Sequence, residues 1–141
     1  MSKACYRKLK NYKYQLMKDY VVSIPIKPAG VVNTKFIKLT MAGKLTVKDR
    51  YSWDGASGPA IDTKSIMRGS LVHDALYQLM RERFLDYKKD RKAADKVLRD
   101  ICRQDGMSKL RARYIYDGVR LGGRKSAKPP KKVKDKIICV P

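Results

Sequence analysis

Hydrophobic residues repeat with different periods on the two sides of residue 51, and this change limits the folds open to the chain. Before residue 51, the segments 12–26 and 35–50 alternate between apolar and polar side chains, which predicts β-strands. After it, apolar side chains recur every three or four residues, as on a helix that packs against a core. This second pattern covers 63–83, 90–104 and 108–122. Strands followed by helices predict an α+β fold.

The N-terminal third is expected to form a small antiparallel sheet. Pro25 and Pro28 end the first alternating segment, because proline cannot donate a hydrogen bond to a neighbouring strand. In the second segment an Ala-Gly turn signal separates two alternating runs, 35–40 and 45–48. Two such runs joined by a short turn predict a β-hairpin.

The length of 141 residues suits one ordinary domain. We expect this domain to cover residues 1–123, with a β-rich part at 1–50 and a helical part at 51–123. Residues 124–141 contain two adjacent prolines and seven basic residues against one aspartate. This composition predicts a flexible basic tail.

The net charge is the main outlier of the composition. Lys and Arg number 34 and Asp and Glu 13, which gives a charge of +21 and an isoelectric point near 10.1. Such a chain is attracted to polyanions, so a nucleic acid or an anionic membrane is the expected partner. Three cysteines without a C-x-x-C pair predict reduced thiols. With no visible signal peptide or membrane-spanning run, we expect a soluble protein in the compartment where it is translated.

His73 is the only histidine, which excludes zinc sites built from two or three histidines of one chain. A single histidine can still act as a general base. Asp74 points about 100° away on a helix, so it has a different partner, and an oxygen-loving cation is the expected one. Tyr77, four residues after His73, shares its face. The alternative is a core histidine beside a solvated aspartate.

Asp95 lies at the edge of the apolar stripe of segment 90–104. Burying a carboxylate is costly, so an aspartate turned toward a core needs a partner. Two antiparallel helices joined by a short turn would set Asp95 beside His73, where it could orient the ring and stabilise imidazolium. The alternative is an exposed aspartate paired with Arg91 or Arg99.

The order of these motifs resembles phospholipase A2, and in particular its short bacterial and fungal branch. The elements that carry the resemblance are the loop Asp54-Gly55-Ala56-Ser57-Gly58-Pro59, the motif His73-Asp74-x-x-Tyr77 and Asp95 on the next helix. The stretch 112–120 is similar to the Tyr-containing helix that closes that family's fold. The match covers residues 51–122 and implies a phospholipase A2-like three-helix core after the N-terminal sheet.

The resemblance implies a calcium-dependent ester hydrolase that acts on phospholipids. His73 would be the base that activates water, Asp95 would orient it, and Tyr77 would brace the pair. The implied metal ligands are Asp54, Asp74 and a main-chain carbonyl near Gly55. Bound Ca²⁺ would polarise the sn-2 ester carbonyl, and basic side chains would hold the enzyme on an anionic phospholipid membrane.

The chain as a whole also resembles small proteins of tailed bacteriophages, which implies a location in the host cytoplasm, with packaging in the virion as a further expectation. The alternative function is a non-catalytic virion protein, or a basic protein that binds nucleic acid or other phage structural proteins. The interleaved tyrosines and cations of 6–14 suit phosphate and base contacts, or form a solvated basic edge. A different hydrolase is a second alternative. No Gly-x-Ser-x-Gly elbow is present, and the candidate thiol nucleophile, Cys102, lies on a core stripe.

Overall fold

The computed structural model describes residues 3–9, 14–55 and 63–130. The strands are β1 (Tyr6–Lys8), β2 (Tyr14–Leu16), β3 (Tyr20–Ser23), β4 (Val32–Asn33), β5 (Ile37–Leu39), β6 (Lys44–Val47) and β7 (Ser52–Trp53). The helices are α1 (Lys64–Arg81), α2 (Tyr87–Gln104), α3 (Lys109–Gly122) and α4 (Arg124–Ala127). This order confirms the predicted α+β fold. Within these residues no helix has the length and apolar character needed to cross a membrane.

The strands form two antiparallel sheets, where a single small sheet was expected. One sheet has the order β1-β2-β7 and the other has the order β3-β6-β5-β4. The predicted hairpin is present as β5 and β6, with Ile37 opposite Val47 and Leu39 opposite Leu45. All four side chains are fully buried in a core that the sheet shares with α1.

The prediction of one strand over 12–26 is wrong, because β2 and β3 belong to different sheets. Leu16, the last residue of β2, is bonded to the segment just before β7. Its N–H donates to the carbonyl of Tyr51, and its carbonyl accepts from the N–H of Arg50. Alternation reveals which residues share a face of a strand but not which strand lies beside it. Residues 12 and 13 of that segment lie outside the described residues.

Helices α1 and α2 pack as an antiparallel pair. Arg68, near the start of α1, bonds Asp105 at the end of α2, while Tyr77, near the end of α1, bonds Arg91 near the start of α2. Gly69 allows the helices to approach closely, since a Cβ there would lie 2.9 Å from a cysteine sulfur of α2. The pairing brings one face of α1 against one face of α2, where the candidate site lies.

Side-chain caps fix where α2 and α3 begin. The Asp86 carboxylate accepts a hydrogen bond from the N–H of Lys88, so α2 starts at Tyr87, three residues earlier than predicted. Ser108 caps α3 as expected by accepting from the N–H of Arg111. Both caps satisfy N–H groups that the first turn of a helix leaves without partners.

The helical part extends beyond the predicted boundary at residue 123. α4 lies within the segment expected to be a tail, and its Ala127 is fully buried. Arg81 at the end of α1 donates a hydrogen bond to the carbonyl of Ser126. The first residues after α3 therefore pack against α1.

Candidate functional site

His73 lies on the face of α1 that packs against α2, and only 9% of its side chain is exposed. Its Nε2 is 2.7 Å from Oδ1 of Asp95 on α2. Tyr77, one turn later on α1, donates its hydroxyl proton to the same Oδ1 over 2.5 Å, and its ring centroid lies 4.0 Å from that of His73. The structure thus brings together the three residues of the predicted catalytic group. Their catalytic roles stay a prediction.

The second oxygen of Asp95 faces two arginines. Arg120 of α3 donates from Nη1 over 2.8 Å, and Nε of Arg91 lies 3.9 Å away. Arg91 also donates to the Tyr77 hydroxyl and to main-chain carbonyls at the C-terminal end of α3, where the helix dipole favours a cation. Because Asp95 is fully buried, the alternative of an exposed aspartate is wrong, although the pairing with Arg91 that it included is present.

These contacts set the protonation states around Asp95. Burial alone raises the pKa of a carboxyl, but the hydrogen bonds from His73, Tyr77 and Arg120 outweigh burial and hold the pKa of Asp95 below its ordinary value. Burial raises the pKa of the Tyr77 hydroxyl, and its hydrogen bond to Asp95 raises that pKa further. Asp95 is therefore an ionised acceptor at neutral pH, and Tyr77 a protonated donor.

An ionised Asp95 fixes the tautomer of His73. A carboxylate only accepts hydrogen bonds, so Nε2 carries a proton, and in the neutral ring Nδ1 is the acceptor. Nδ1 has no hydrogen-bond partner among the described residues, and no buried side-chain nitrogen or oxygen of those residues is without one. Nδ1 therefore reaches solvent, which a nitrogen that takes a proton from water requires.

Asp74 lies in a different environment from its neighbour His73. The main-chain N–H of Asp54 donates to the Asp74 carboxylate, so the Asp54 main chain lies against Asp74. Burial raises the pKa of Asp74 to about 6, and the Asp54 charge adds to the shift, while His73 and Arg81 lower it by less. In the part of the chain that the structure describes, neither aspartate is in an ion pair.

Strand β7 brings Asp54 to α1. Trp53 is buried and donates its indole N–H to Oγ of Ser70 on α1 over 3.1 Å. Gly55 has a φ of +77°, a left-handed conformation that glycine adopts without the steric cost of a Cβ. Residues 56–59 of the predicted metal-binding loop lie outside the described residues.

The chemistry of this pair of carboxylates suits a hard divalent cation. Two carboxylates that repel each other are stabilised by a cation between them, and calcium prefers carboxylate and carbonyl oxygens. Asp54, Asp74 and the carbonyl of Gly55 would hold such an ion. Among residues 3–9, 14–55 and 63–130 no cluster of three or more His, Cys, Asp or Glu side chains could bind a metal. Main-chain carbonyls would therefore have to supply further ligands.

Sequence reasoning missed the role of Arg120 and the bond from Arg91 to Tyr77. A signal was available, because a carboxylate has about four acceptor positions and one histidine cannot satisfy a buried one. Asp95 therefore required further donors. Their identity depends on how α3 crosses α2, which local sequence patterns do not specify.

Two alternatives weighed from the sequence lose support from the structure. Cys102 is fully buried, and burial raises the pKa of its thiol to about 12, so it is not a ready nucleophile. Tyr6 and Tyr14 pack on each other and on Trp53 with ring centroids 5.6 Å apart. Rings engaged in this way are less available for stacking on bases. Residues 10–13 of that segment lie outside the described residues.

The protein-family model described as Protein of unknown function (DUF1353) matches residues 31–119, which is more than half of the chain. The chain belongs to this family. The matched range includes His73, Asp74, Tyr77 and Asp95, and it ends one residue before Arg120. No curated protein and no solved structure matches the chain.

Proposed function

We propose that the protein is a calcium-dependent hydrolase of phospholipid esters that works in the manner of phospholipase A2. The observation that carries the proposal is the buried His73–Asp95 pair, in which Nε2 is held by the carboxylate and Nδ1 reaches solvent. The main chain of Asp54 bonds the Asp74 carboxylate, and the Asp54 charge acts on it, which supports the proposal of a cation site next to the base.

The residues of the chain suffice to move the proton in such a reaction. His73 takes a proton from water at Nδ1 as the water oxygen attacks the ester carbonyl carbon. Asp95 stabilises the imidazolium through Nε2–H, while Tyr77 and Arg120 hold the carboxylate in place. His73 then gives the proton to the leaving alcohol oxygen as the acyl C–O bond breaks. The products are a fatty acid and a lysophospholipid.

The proposed cation site would support this reaction next to His73. When bound, calcium supplies a Lewis acid that stabilises negative charge on the carbonyl oxygen of the ester. Asp74 follows His73 in α1, so a ligand held by Asp74 lies close to the base. This juxtaposition is the reason to place the ester at His73 and not elsewhere on the molecule.

Fatty-acid release from ester-linked phosphatidylglycerol vesicles tests the proposal, with calcium in one arm and a chelator in the other. The wild type is expected to release product only with calcium. His73→Gln keeps an amide that can donate to Asp95 but has no basic nitrogen, so its rate should fall by about 100-fold or more. Lys64→Gln, at the exposed start of the same helix, is the matched control and should retain the full rate.

The alternative role as a non-catalytic virion or nucleic-acid-binding protein rests on the net charge of +21. It predicts that His73→Gln lowers stability and that there is no activity to lose. Affinity does not separate the two functions, because binding to lipid and to nucleic acid both weaken with salt. If the wild type releases no fatty acid from any phospholipid class with calcium present, the hydrolase proposal fails.

A further inference from the structure

Helix α3 has two apolar faces, and among the described residues only one of them packs against other elements. The inner face packs on α1 and α2 through Ala112, Ile115 and Val119. The outer face carries Leu110, Tyr114 and Leu121, which are 81%, 62% and 89% exposed. At 100° per residue these three side chains lie within about 40° of one another, on the side opposite the inner face. Single exposed apolar residues are ordinary, but a stripe of three along one helix marks an interaction surface.

Cations border this outer stripe. Lys109 and Arg113 follow its edge on the side toward α2, and Arg99 and Arg103 of α2 face them across a groove of about 580 Å³. The guanidinium of Arg99 lies 5.0 Å from the ring centroid of Tyr116, which holds it at the groove wall. The acidic residue on the stripe, Asp117, lies 3.9 Å from Arg113. The surface therefore combines exposed leucines with net positive charge.

This combination decides among the possible partners. A nucleic acid matches the cations but gives no environment for two exposed leucines. A second copy of the chain matches the leucines, but each copy carries a charge of +21 and would bring cations against cations. An anionic bilayer matches both, because its headgroups attract the cations and its acyl boundary accepts the apolar side chains.

We propose that the outer face of α3, defined by Leu110, Tyr114 and Leu121 with Lys109 and Arg113, docks the protein on an anionic phospholipid membrane. Arg120 of the same helix holds Asp95, so the docked helix is joined directly to the candidate site. As the means by which the enzyme reaches its substrate, the surface rests on the proposed hydrolase function. The binding itself does not require catalysis.

Co-sedimentation with diether phosphatidylglycerol vesicles tests the docking, because ether-linked lipid cannot be hydrolysed. Leu110→Ser/Leu121→Ser should bind at least about tenfold more weakly than the wild type, since tenfold corresponds to less apolar burial than one leucine provides. Val31→Ser/Met41→Ser changes two exposed apolar residues of the β-rich part and is the matched control. It should bind like the wild type.

A second pair of variants tests the cations. Lys109→Gln/Arg113→Gln should weaken binding about tenfold and reduce its salt dependence, whereas Lys38→Gln/Lys44→Gln, with the same change of charge on the sheet, should have less effect. Vesicles of diether phosphatidylcholine, which carry no net charge, should bind the wild type and all variants much more weakly than the phosphatidylglycerol vesicles bind the wild type. Equal loss in both charge variants would show attraction without a defined face and would overturn the proposal.

Three further results would overturn it. One is wild-type binding that survives Leu110→Ser/Leu121→Ser unchanged. Another is a wild type that sediments as a dimer while this variant sediments as a monomer, because the stripe would then bind a second copy of the chain. The last is loss of duplex DNA binding in the stripe variant with vesicle binding intact. Since the lipid is not hydrolysable, failure of the hydrolase proposal leaves the sedimentation result unaffected, and the two failures can be told apart.

Discussion

Two aspartates lie next to His73, Asp95 by a contact from α2 and Asp74 in sequence, and their environments shift their pKa values in opposite directions. Asp95 is fully buried and receives hydrogen bonds from His73, Tyr77 and Arg120. Asp74 has a second carboxylate, Asp54, as its neighbour. The pKa of Asp95 is lowered in spite of burial, whereas burial raises that of Asp74 to about 6. The donors around Asp95 outweigh the cost of its burial, whereas the main-chain N–H of Asp54 and the charges of His73 and Arg81 do not outweigh the burial of Asp74.

We propose that this difference separates a positioning group, Asp95, from a cation-binding group, Asp74. A carboxylate surrounded by donors has little to gain from a ligand, but it holds its neighbours in a defined geometry. A carboxylate kept beside another one costs stability, and folds retain such arrangements mainly at functional sites. Variants of Asp95 and its donor Tyr77, and of Asp74, test this contrast.

Asp95→Asn should produce the largest loss of stability. An amide cannot balance the charges of Arg120 and Arg91, and breaking a buried ion pair from one side typically costs about 3–5 kcal/mol. Urea unfolding at pH 7 measures the change. Since the pKa of Asp95 is lowered by folding, its contribution is present above about pH 4 and is lost as the pH falls through the folded pKa. The difference between variant and wild type should therefore shrink in acid.

Asp100→Asn is the control for this variant, because Asp100 lies on the same helix but is exposed. Its free energy of unfolding should stay within about 0.5 kcal/mol of the wild type. If Asp95→Asn also stays within that range at pH 7, the contacts around Asp95 do not stabilise the fold and the contrast between the two aspartates is lost.

The sequence could predict the helices and the hairpin, because each depends on a local period, and it could predict the contact between His73 and Asp95 once the two helices were assumed to pack antiparallel. Asp95 stood out as a charged residue at the edge of an apolar stripe, and that position required a partner. The N-terminal hairpin followed from alternation on both sides of an Ala-Gly turn. The helices and the hairpin do not depend on distant parts of the chain.

Other features depend on tertiary packing and were not predictable in this way. The alternating segment that contains β2 and β3 gives no sign that the two strands pair in different sheets. Arg120 reaches Asp95 only because α3 crosses α2 where it does. The family resemblance, and not the spacing in the sequence, led us to expect Asp54 near Asp74. Local patterns do not specify the path of the residues that join β7 to α1, so they cannot predict this contact.

Tyr77→Phe should cost less than Asp95→Asn. It removes one donor to Oδ1 and leaves His73 and Arg120 in place, so the expected loss is about 1.5–3 kcal/mol, as for one hydrogen bond to a charged group. Urea unfolding again provides the measurement. Tyr114→Phe, the same change on an exposed tyrosine of α3, should be nearly neutral. Equal effects of the two variants would mean that the Tyr77 hydroxyl does not brace Asp95.

Asp74→Asn should change the free energy of unfolding least of the three variants, and it should raise it where the other two lower it. A carboxyl whose pKa is raised by folding destabilises the folded state once it ionises, so the cost is fully present above about pH 6 and absent below about pH 4. In a chelator at pH 8 the variant should therefore gain roughly 1–2 kcal/mol, and the gain should vanish in acid. Asp117→Asn, an exposed change of equal charge, is the control. A loss of stability in Asp74→Asn at pH 8 would contradict the assignment.

Calcium titration by calorimetry, with the wild type, Asp74→Asn and Asp100→Asn compared, tests the contrast most directly. We expect a saturable heat with one equivalent of calcium for the wild type and for Asp100→Asn, and none for Asp74→Asn. We also expect that magnesium, which demands stricter octahedral geometry, binds more weakly. No heat in the wild type, or equal heats in all three proteins, would contradict the claim that Asp74 and Asp54 form a cation site beside His73.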